Sequence, residues 1–169
     1  MAERPIVIYG DPVLREKCEP VETIDREIKD LVSDMIDTLK KARGLGLAAP
    51  QVGVPKRLFI VDVSAIDITA PLTVFINPEI LHTSDDEVEY EEGCLSFPGL
   101  YQKLDRPATV KVRATDLDGN VFEMEAGGMT ARAILHEYDH LEGVLFIDHL
   151  SSLSRALIKG KLKKMTAAT

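Results

Sequence analysis

Residues 136–140 read His136-Glu137-Tyr138-Asp139-His140, an H-E-x-x-H pattern inside a segment that is predicted to be helical. Residues four apart lie one above the other on a helix, so both imidazoles can face a single metal ion. Glu137 can then reach a water on that ion and act as its general base. The alternative is an amphipathic helix with two surface histidines. We expect this helix to lie at the centre of the fold.

The segments around this helix predict an α+β fold, because strands in the middle of the chain are flanked by helices without regular βαβ alternation. Period-two alternation or short apolar runs predict strands at residues 58–63, 73–76, 88–90, 109–114 and 121–124. Asn77-Pro78 is predicted to interrupt the strand at 73–76, and Asp118-Gly119 is predicted to form a tight turn before the strand at 121–124. Apolar residues at steps of three and four predict helices at 25–43, with Gly44 as its stop, at about 128–142, and at 151–165. We therefore expect short mixed or antiparallel sheets packed around the H-E-x-x-H helix, with a C-terminal helix that has Leu153, Leu157, Ile158, Leu162 and Met165 on one side.

Length predicts a single domain over residues 1–169, with residues 151–169 as its C-terminal helix and tail, and the H-E-x-x-H motif predicts that this domain is catalytic. With 45% hydrophobic and 28% charged residues, the chain resembles ordinary globular proteins, and it has no apolar run long enough to span a bilayer. The net charge of −8 disfavours general binding to DNA or to anionic membranes. Two cysteines exclude a disulfide scaffold, and a strand-like run at residues 6–9 leaves no room for a signal peptide, so we expect a reducing cytosol.

Two histidines leave a catalytic metal one protein ligand short. One class of H-E-x-x-H peptidase needs a third histidine where this chain has Phe146, and another needs a later glutamate, but none follows Glu142. Cys94, in the run Glu92-Gly93-Cys94-Leu95-Ser96, can complete a His2Cys set and leave one position open for water. The alternative for Cys94 is a buried free thiol, which is what we expect of Cys18.

Residues 44–51 read Gly-Leu-Gly-Leu-Ala-Ala-Pro-Gln and follow the first predicted helix. A dinucleotide-binding loop would need a strand before it and a helix after it, so this order argues against one. Small residues would let the backbone approach a substrate closely, and Gln51 offers an uncharged N–H donor for an oxyanion. The alternative is an ordinary turn from helix to strand.

Taken together, three motifs resemble those of the peptide deformylase family: G-φ-G-φ-A-A-x-Q, E-G-C-φ-S and H-E-x-D-H-L, where φ is apolar. They occupy residues 44–51, 92–96 and 136–141, in the family's order, and residues 8–15 also look like the family's start. The resemblance implies that Cys94, His136 and His140 bind one divalent metal, usually Fe(II), with Zn, Ni or Co able to substitute. It also implies that Glu137 is the acid/base.

The resemblance further implies that the Gln51 side chain and the Leu95 backbone N–H form an oxyanion hole, and that Leu45 and Gly46 contact the peptide. The implied reaction is metal-dependent hydrolysis of the N-formyl group from formyl-methionyl nascent peptides, a step of N-terminal processing in protein biosynthesis. A zincin-like metallopeptidase is the alternative. Two places depart from the family's usual pattern: Leu135 replaces a common glutamine, and residues 97–101 lack the glutamate and arginine of a substrate-facing loop.

The C-terminal tail has no acidic residue after Asp148 but carries five cations: Arg155, Lys159, Lys161, Lys163 and Lys164. Such a helix could contact ribosomal RNA near emerging nascent chains. The alternative is an amphipathic helix that buries its apolar side and keeps its lysines in water. The compartment expected from the resemblance is a bacterial cytoplasm, or an organelle after removal of a targeting peptide.

Overall fold

The computed structural model describes the backbone of residues 2–168 and the side chains of residues 2–166. Met1 and Thr169, which the single-domain prediction includes, lie outside the described residues. The strands are β1 (Gly46–Ala48), β2 (Leu58–Val61), β3 (Thr73–Thr83), β4 (Glu87–Cys94), β5 (Phe97–Pro107), β6 (Thr109–Thr115) and β7 (Val121–Gly127). The helices are α1 (Arg26–Ala42), α2 (Gly128–Leu141), α3 (Ser152–Leu157) and α4 (Lys159–Ala168), and short 3-10 turns cover Pro12–Arg15, Ala49–Val52 and Phe146–His149.

Across residues 2–168, two antiparallel sheets and four helices confirm the α+β prediction. The larger sheet has the order β1-β2-β3-β6-β7, and β4 pairs with β5 in a separate two-stranded hairpin. Successive side chains of a strand point to opposite faces. On β2, Phe59 therefore joins the core beneath α2, while Leu58 and Ile60 join the core beneath α1. The larger sheet thus lies between α1 and α2, and α2 carries the H-E-x-x-H motif, as predicted.

Local sequence signals place α1 within one residue of its predicted ends. The Asp25 carboxylate caps the helix by accepting from the Ile28 N–H at 3.0 Å. The helix ends in a left-handed residue, but this residue is Arg43 (φ 59°) and not the predicted Gly44. Gly44 instead lies where an added Cβ would come 3.0 Å from Leu95 Cδ1, so its small size serves packing.

Asn77-Pro78, predicted to interrupt the second strand, interrupts its pairing with β6 but does not end the strand. β3 continues through it with a register shift between Ile76 and Glu79, and Asn77 adopts a φ of 50°. The Asn77 side chain accepts from the Val21 N–H and donates to the Val21 carbonyl oxygen, both at 2.8 Å. These two bonds stabilise the bulge, which explains why the turn-forming residues do not stop the strand.

Residues at both ends of the chain also differ from prediction. Residues 6–9 form no assigned strand, although the Val7 N–H donates to the Gln51 carbonyl oxygen at 2.7 Å. The predicted helix at 151–165 is two helices with a break at Ile158. Leu153 and Leu157 are 71% and 78% exposed, whereas Ile158 and Leu162 are buried, so the predicted single apolar side does not form. None of the described helices is long and apolar enough to cross a membrane.

Candidate metal centre

Cys94 and the two histidines of the H-E-x-x-H motif converge where the end of β4 meets α2. The Cys94 Sγ lies 3.4 Å from His140 Nε2. One ligand atom from each of Cys94, His136 and His140 lies within 4.8 Å of the other two. Both imidazoles are buried, and their ring centroids are 5.1 Å apart. The alternative of two surface histidines is therefore wrong.

The electrostatics of this cluster suit a bound cation. Burial, and then the nearby His136 charge, lower the pKa of His140 well below its usual value, which keeps that imidazole in the neutral form that binds metals. Burial alone would lower the pKa of His136, but the negative charges of Cys94 and Glu137 raise it well above its usual value. Among the described residues, the buried Glu137 Oε1 and His140 Nδ1 have no hydrogen-bond partner. The converging donors and the unpaired carboxylate oxygen fit a metal with a water.

Glu137 is held beside the ligand cluster in a site with little water. It is 4% exposed, and burial raises the pKa of its carboxyl group to about 7. A Cβ added at Gly46 would lie 2.7 Å from Glu137 Oε2 and 2.8 Å from its Cγ. The sequence predicts that Gly46 lets the backbone approach a substrate closely. In the structure, the absence of a side chain at Gly46 also makes room for Glu137.

We expect Gly46→Ala to lower kcat by about 100-fold, since a displacement of catalytic groups by roughly 1 Å has effects of that size. The added methyl group must push Glu137 out of its position, because the carboxylate is confined by burial. Gly160→Ala is the control, because a Cβ there meets no atom within 4 Å and the residue lies in a helix. Formate release is measured for both variants. Equal turnover of Gly46→Ala and the unmodified enzyme would contradict the expectation.

Gln51 lies in the 3-10 turn that follows β1, so residues 44–51 form a strand and a turn. Its Oε1 accepts from the Ala48 N–H at 2.9 Å, which fixes the orientation of the amide. The Nε2 group therefore faces the site and donates to Ser96 Oγ at 3.2 Å and to Cys94 Sγ at 3.4 Å. Gln51 is buried, so an N–H donor is held in place next to the ligand cluster.

A cavity of about 810 Å³ opens onto this cluster. Leu45 and Gly46 lie on one side of it, and the β4–β5 hairpin and the first turns of α2 lie on the others. Leu95, whose backbone N–H is a predicted oxyanion donor, is half-buried and lines the cavity directly after Cys94. Residues 97–101 lie at the start of β5 and not in a loop, and four of them line the cavity: Phe97, Pro98, Gly99 and Tyr101. Leu135 packs into the core beneath α2, so this departure from the family pattern does not line the cavity.

Sequence reasoning missed a buried network behind the histidines. Glu92 Oε1 accepts from His136 Nδ1 at 2.7 Å, and Arg106 donates to both Glu92 oxygens at 2.6 and 2.9 Å. Burial raises the pKa of Glu92, but its hydrogen bonds and the positive charges of His136 and Arg106 outweigh this and lower it. The Arg106 Nη1 also donates to Asp139 Oδ2 at 3.0 Å. Side chains alternate along β4, so Glu92 lies on the same face as Cys94, and this pattern could have indicated that Glu92 lies near the site. The position of Arg106 could not be predicted in this way, because it depends on how β5 pairs with β4.

The family model for polypeptide deformylase matches residues 3–156 of this chain. The chain belongs to the polypeptide deformylase family. A peptide deformylase of Mesorhizobium japonicum is 47% identical over 165 residues, which covers 98% of this chain and 94% of that protein. One from Phenylobacterium zucineum is 47% identical over 168 residues, which covers 99% of each. A crystal structure of a peptide deformylase from Legionella pneumophila superimposes with a TM-score of 0.90 at 42% identity, and covers 99% of this chain and 97% of that one.

Family membership confirms the predicted activity, so the chain is a hydrolase and a peptide deformylase that acts on formylated nascent peptides. The cluster of Cys94, His136 and His140 supports metal binding by this enzyme. The solved structure also confirms the α+β fold. None of these comparisons supports a zincin-like metallopeptidase.

Proposed function

We propose that this enzyme removes the formyl group with a divalent metal held by Cys94, His136 and His140, and with Glu137 as its acid/base. The observation that carries the proposal is the convergence of three ligand atoms within 4.8 Å of one another beside a cavity of about 810 Å³ that Cys94 and His136 line. The buried carboxylate of Glu137 next to them supports its role, since a pKa of about 7 suits a group that both accepts and returns a proton. We also propose that the chain forms one catalytic domain, because the site draws on elements from β1 to α2.

In the proposed mechanism, Glu137 accepts a proton from a water molecule while the oxygen of that water attacks the formyl carbon. A divalent ion in the site would supply Lewis acidity and lower the pKa of that water. The Gln51 Nε2 and the Leu95 N–H donate to the formyl oxygen as it gains negative charge. Glu137 then passes the proton to the amine nitrogen while the C–N bond breaks. The products are formate and a free N-terminal amine.

The backbone of Gly46 is the proposed main-chain contact for the peptide. The carbonyl oxygen of Leu45 accepts from the Asp62 N–H at 2.8 Å, so the backbone groups of Leu45 face β2. Neighbouring residues of an antiparallel strand point their backbone groups to opposite sides, so those of Gly46 face away from β2. β1 is the edge strand of its sheet, which leaves that side available to a substrate. We propose that Leu45 contributes its side chain to the cavity wall.

The proposed metal is ferrous iron, with zinc, nickel and cobalt as competent substitutes. One thiolate and two imidazoles form a donor set that suits all four metals. The test is to purify the enzyme without oxygen, to measure its metal content, and to follow formate release from a formyl-Met tripeptide. About one iron per chain with rapid formate release supports iron. Activity that tracks a different bound metal would contradict iron, while stoichiometric metal without formate release would contradict the proposed site.

We also propose a contact with the ribosome through the exposed lysines of α4, in the cytoplasm of a bacterium. Four lysines on this helix are exposed: Lys159, Lys161, Lys163 and Lys164. Arg155, in contrast, donates to Asp148 Oδ1 at 3.2 Å and is already engaged within the fold. Support for a bacterial compartment comes from bacterial relatives such as those of Mesorhizobium and Phenylobacterium.

The test of the ribosome contact is co-sedimentation at rising salt concentration. Changing the four α4 lysines to glutamine is expected to weaken binding and to flatten its salt dependence. The control changes three exposed lysines of α1 in the same way: Lys29, Lys40 and Lys41. Equal binding by the two variants would contradict the contact.

A further inference from the structure

The candidate ligands lie on two elements from different parts of the fold. Cys94 ends β4, which pairs only with β5 among the described residues, whereas His136 and His140 lie on α2. A two-stranded hairpin is marginally stable on its own. Contacts between the hairpin and the rest of the fold, including those with α2, therefore set the distance from the cysteine sulfur to the imidazoles.

Arg132 joins α2 to both strands of this hairpin. Its Nη2 donates to the carbonyl oxygen of Val88 on β4 at 2.6 Å. Its Nη1 donates to the carbonyl oxygen of Leu104 on β5 at 3.3 Å and to Glu92 Oε2 at 2.7 Å. The guanidinium is planar, so one rigid group fixes three acceptors relative to the helix. Arg132 is 6% exposed, which shelters these bonds from competing water.

The same arginine is linked to a candidate ligand through one carboxylate. Arg132 lies one helical turn before His136, on the same face of α2. Glu92 accepts from His136 with Oε1 and from Arg132 with Oε2. Glu92 of the hairpin therefore joins Arg132 and His136 of α2 through a single carboxylate.

A change at Arg132 could act by removing a charge partner of Glu92 or by removing hydrogen bonds to the hairpin backbone. The presence of Arg106 distinguishes these two effects. Because Arg106 also donates to both oxygens of Glu92, the carboxylate keeps a cationic partner when Arg132 is replaced. Replacing Arg132 instead removes the hydrogen bonds to the carbonyl oxygens of Val88 and Leu104, and these bonds hold the hairpin.

We propose that Arg132 is a positioning residue that holds the β4–β5 hairpin against α2 and thereby sets the spacing of the metal ligands. This inference rests on the metal site proposed above. It assigns Arg132 no contact with the reacting atoms. The effect of losing Arg132 is therefore expected in metal affinity and in the order of the hairpin, and not only in stability.

The first test compares Arg132→Met and Arg132→Lys with the matched control Arg57→Met. The Arg57 guanidinium is partly buried and also donates to a backbone carbonyl, Leu141 at 3.1 Å, and to a carboxylate, Glu142 at 2.8 Å. None of its hydrogen bonds reaches the β4–β5 hairpin. Metal-free protein is titrated with Co(II), and binding is followed by the absorption band of cobalt bound to a thiolate.

We expect Arg132→Met to raise the Co(II) dissociation constant about 10- to 100-fold, the range seen when groups behind metal ligands are removed. Arg57→Met is expected to lower stability without changing this constant. Arg132→Lys keeps a positive charge for Glu92, but a single ammonium group cannot reproduce the planar three-acceptor fork. The Arg132→Lys variant is therefore expected to bind cobalt more weakly than the unmodified enzyme. If Arg132→Met does not fold, the cobalt affinity of Arg132→Lys tests the positioning role of Arg132.

The second test measures amide hydrogen exchange on the metal-free proteins. Residues 87–107 are expected to exchange faster in the Arg132 variants than in the unmodified protein or in Arg57→Met. Unchanged cobalt affinity and unchanged hairpin exchange in a folded Arg132 variant would overturn the positioning role and leave the metal site intact. Failure of the unmodified enzyme to bind cobalt would overturn the metal site itself.

Discussion

Replacing Glu137 with glutamine is expected to lower kcat/KM for a formyl-Met tripeptide by about 10²- to 10⁴-fold, the usual contribution of a positioned acid/base. The amide has nearly the size of the carboxylate but cannot accept a proton from water. Glu137 is confined by burial and by the close approach of Gly46, so the amide is expected to occupy the same position. We expect the variant to keep its metal, because Glu137 is not among the three clustered ligands.

The measurement combines formate release with elemental analysis of the same sample. Glu125→Gln is the control, because Glu125 is exposed on β7 and lies outside the cavity lining. The control is expected to retain normal turnover. A metal-loaded Glu137→Gln enzyme with near-normal turnover would remove Glu137 from the mechanism.

Replacing Cys94 with serine is expected to abolish tight metal binding and, with it, activity. The thiolate is the donor that metals bind, whereas a serine hydroxyl keeps its proton near neutral pH. Loss of a group behind a metal ligand typically costs about 10- to 100-fold in affinity, and loss of a ligand itself is expected to cost more. The Cys94 sulfur is 3.4 Å from His140 Nε2, so its removal leaves the two imidazoles without the third donor.

Cys18→Ala provides the matched control for this experiment. Cys18 is buried, and burial raises the pKa of its thiol to about 11, so it stays protonated and takes no part in metal binding. We expect this variant to bind one metal per chain with unchanged affinity. Full metal occupancy of Cys94→Ser in the same titration would show that the third ligand lies elsewhere.

Much of the local structure and the candidate chemistry could be predicted from sequence because their signals lie within a few residues. A capping aspartate and apolar steps of three and four place α1, and Asp118-Gly119 places the β6–β7 hairpin. The four-residue spacing of His136 and His140 puts both imidazoles on one face of α2. The third ligand was a weaker prediction, because no local rule links Cys94 to a helix that begins 34 positions later.

By itself, then, the sequence determined the family, the fold class and the residue types of the site, since these follow from short motifs and local periodicity. Only the tertiary structure decided how the parts meet. It paired β5 with β4, split the C-terminal helix at Ile158, and brought Arg106 and Arg132 to Glu92 behind His136. Glu92 and His136 are 44 residues apart, and such contacts depend on strand register and helix packing. Burial makes these charge pairs strong, and burial is a property of the assembled fold rather than of any segment.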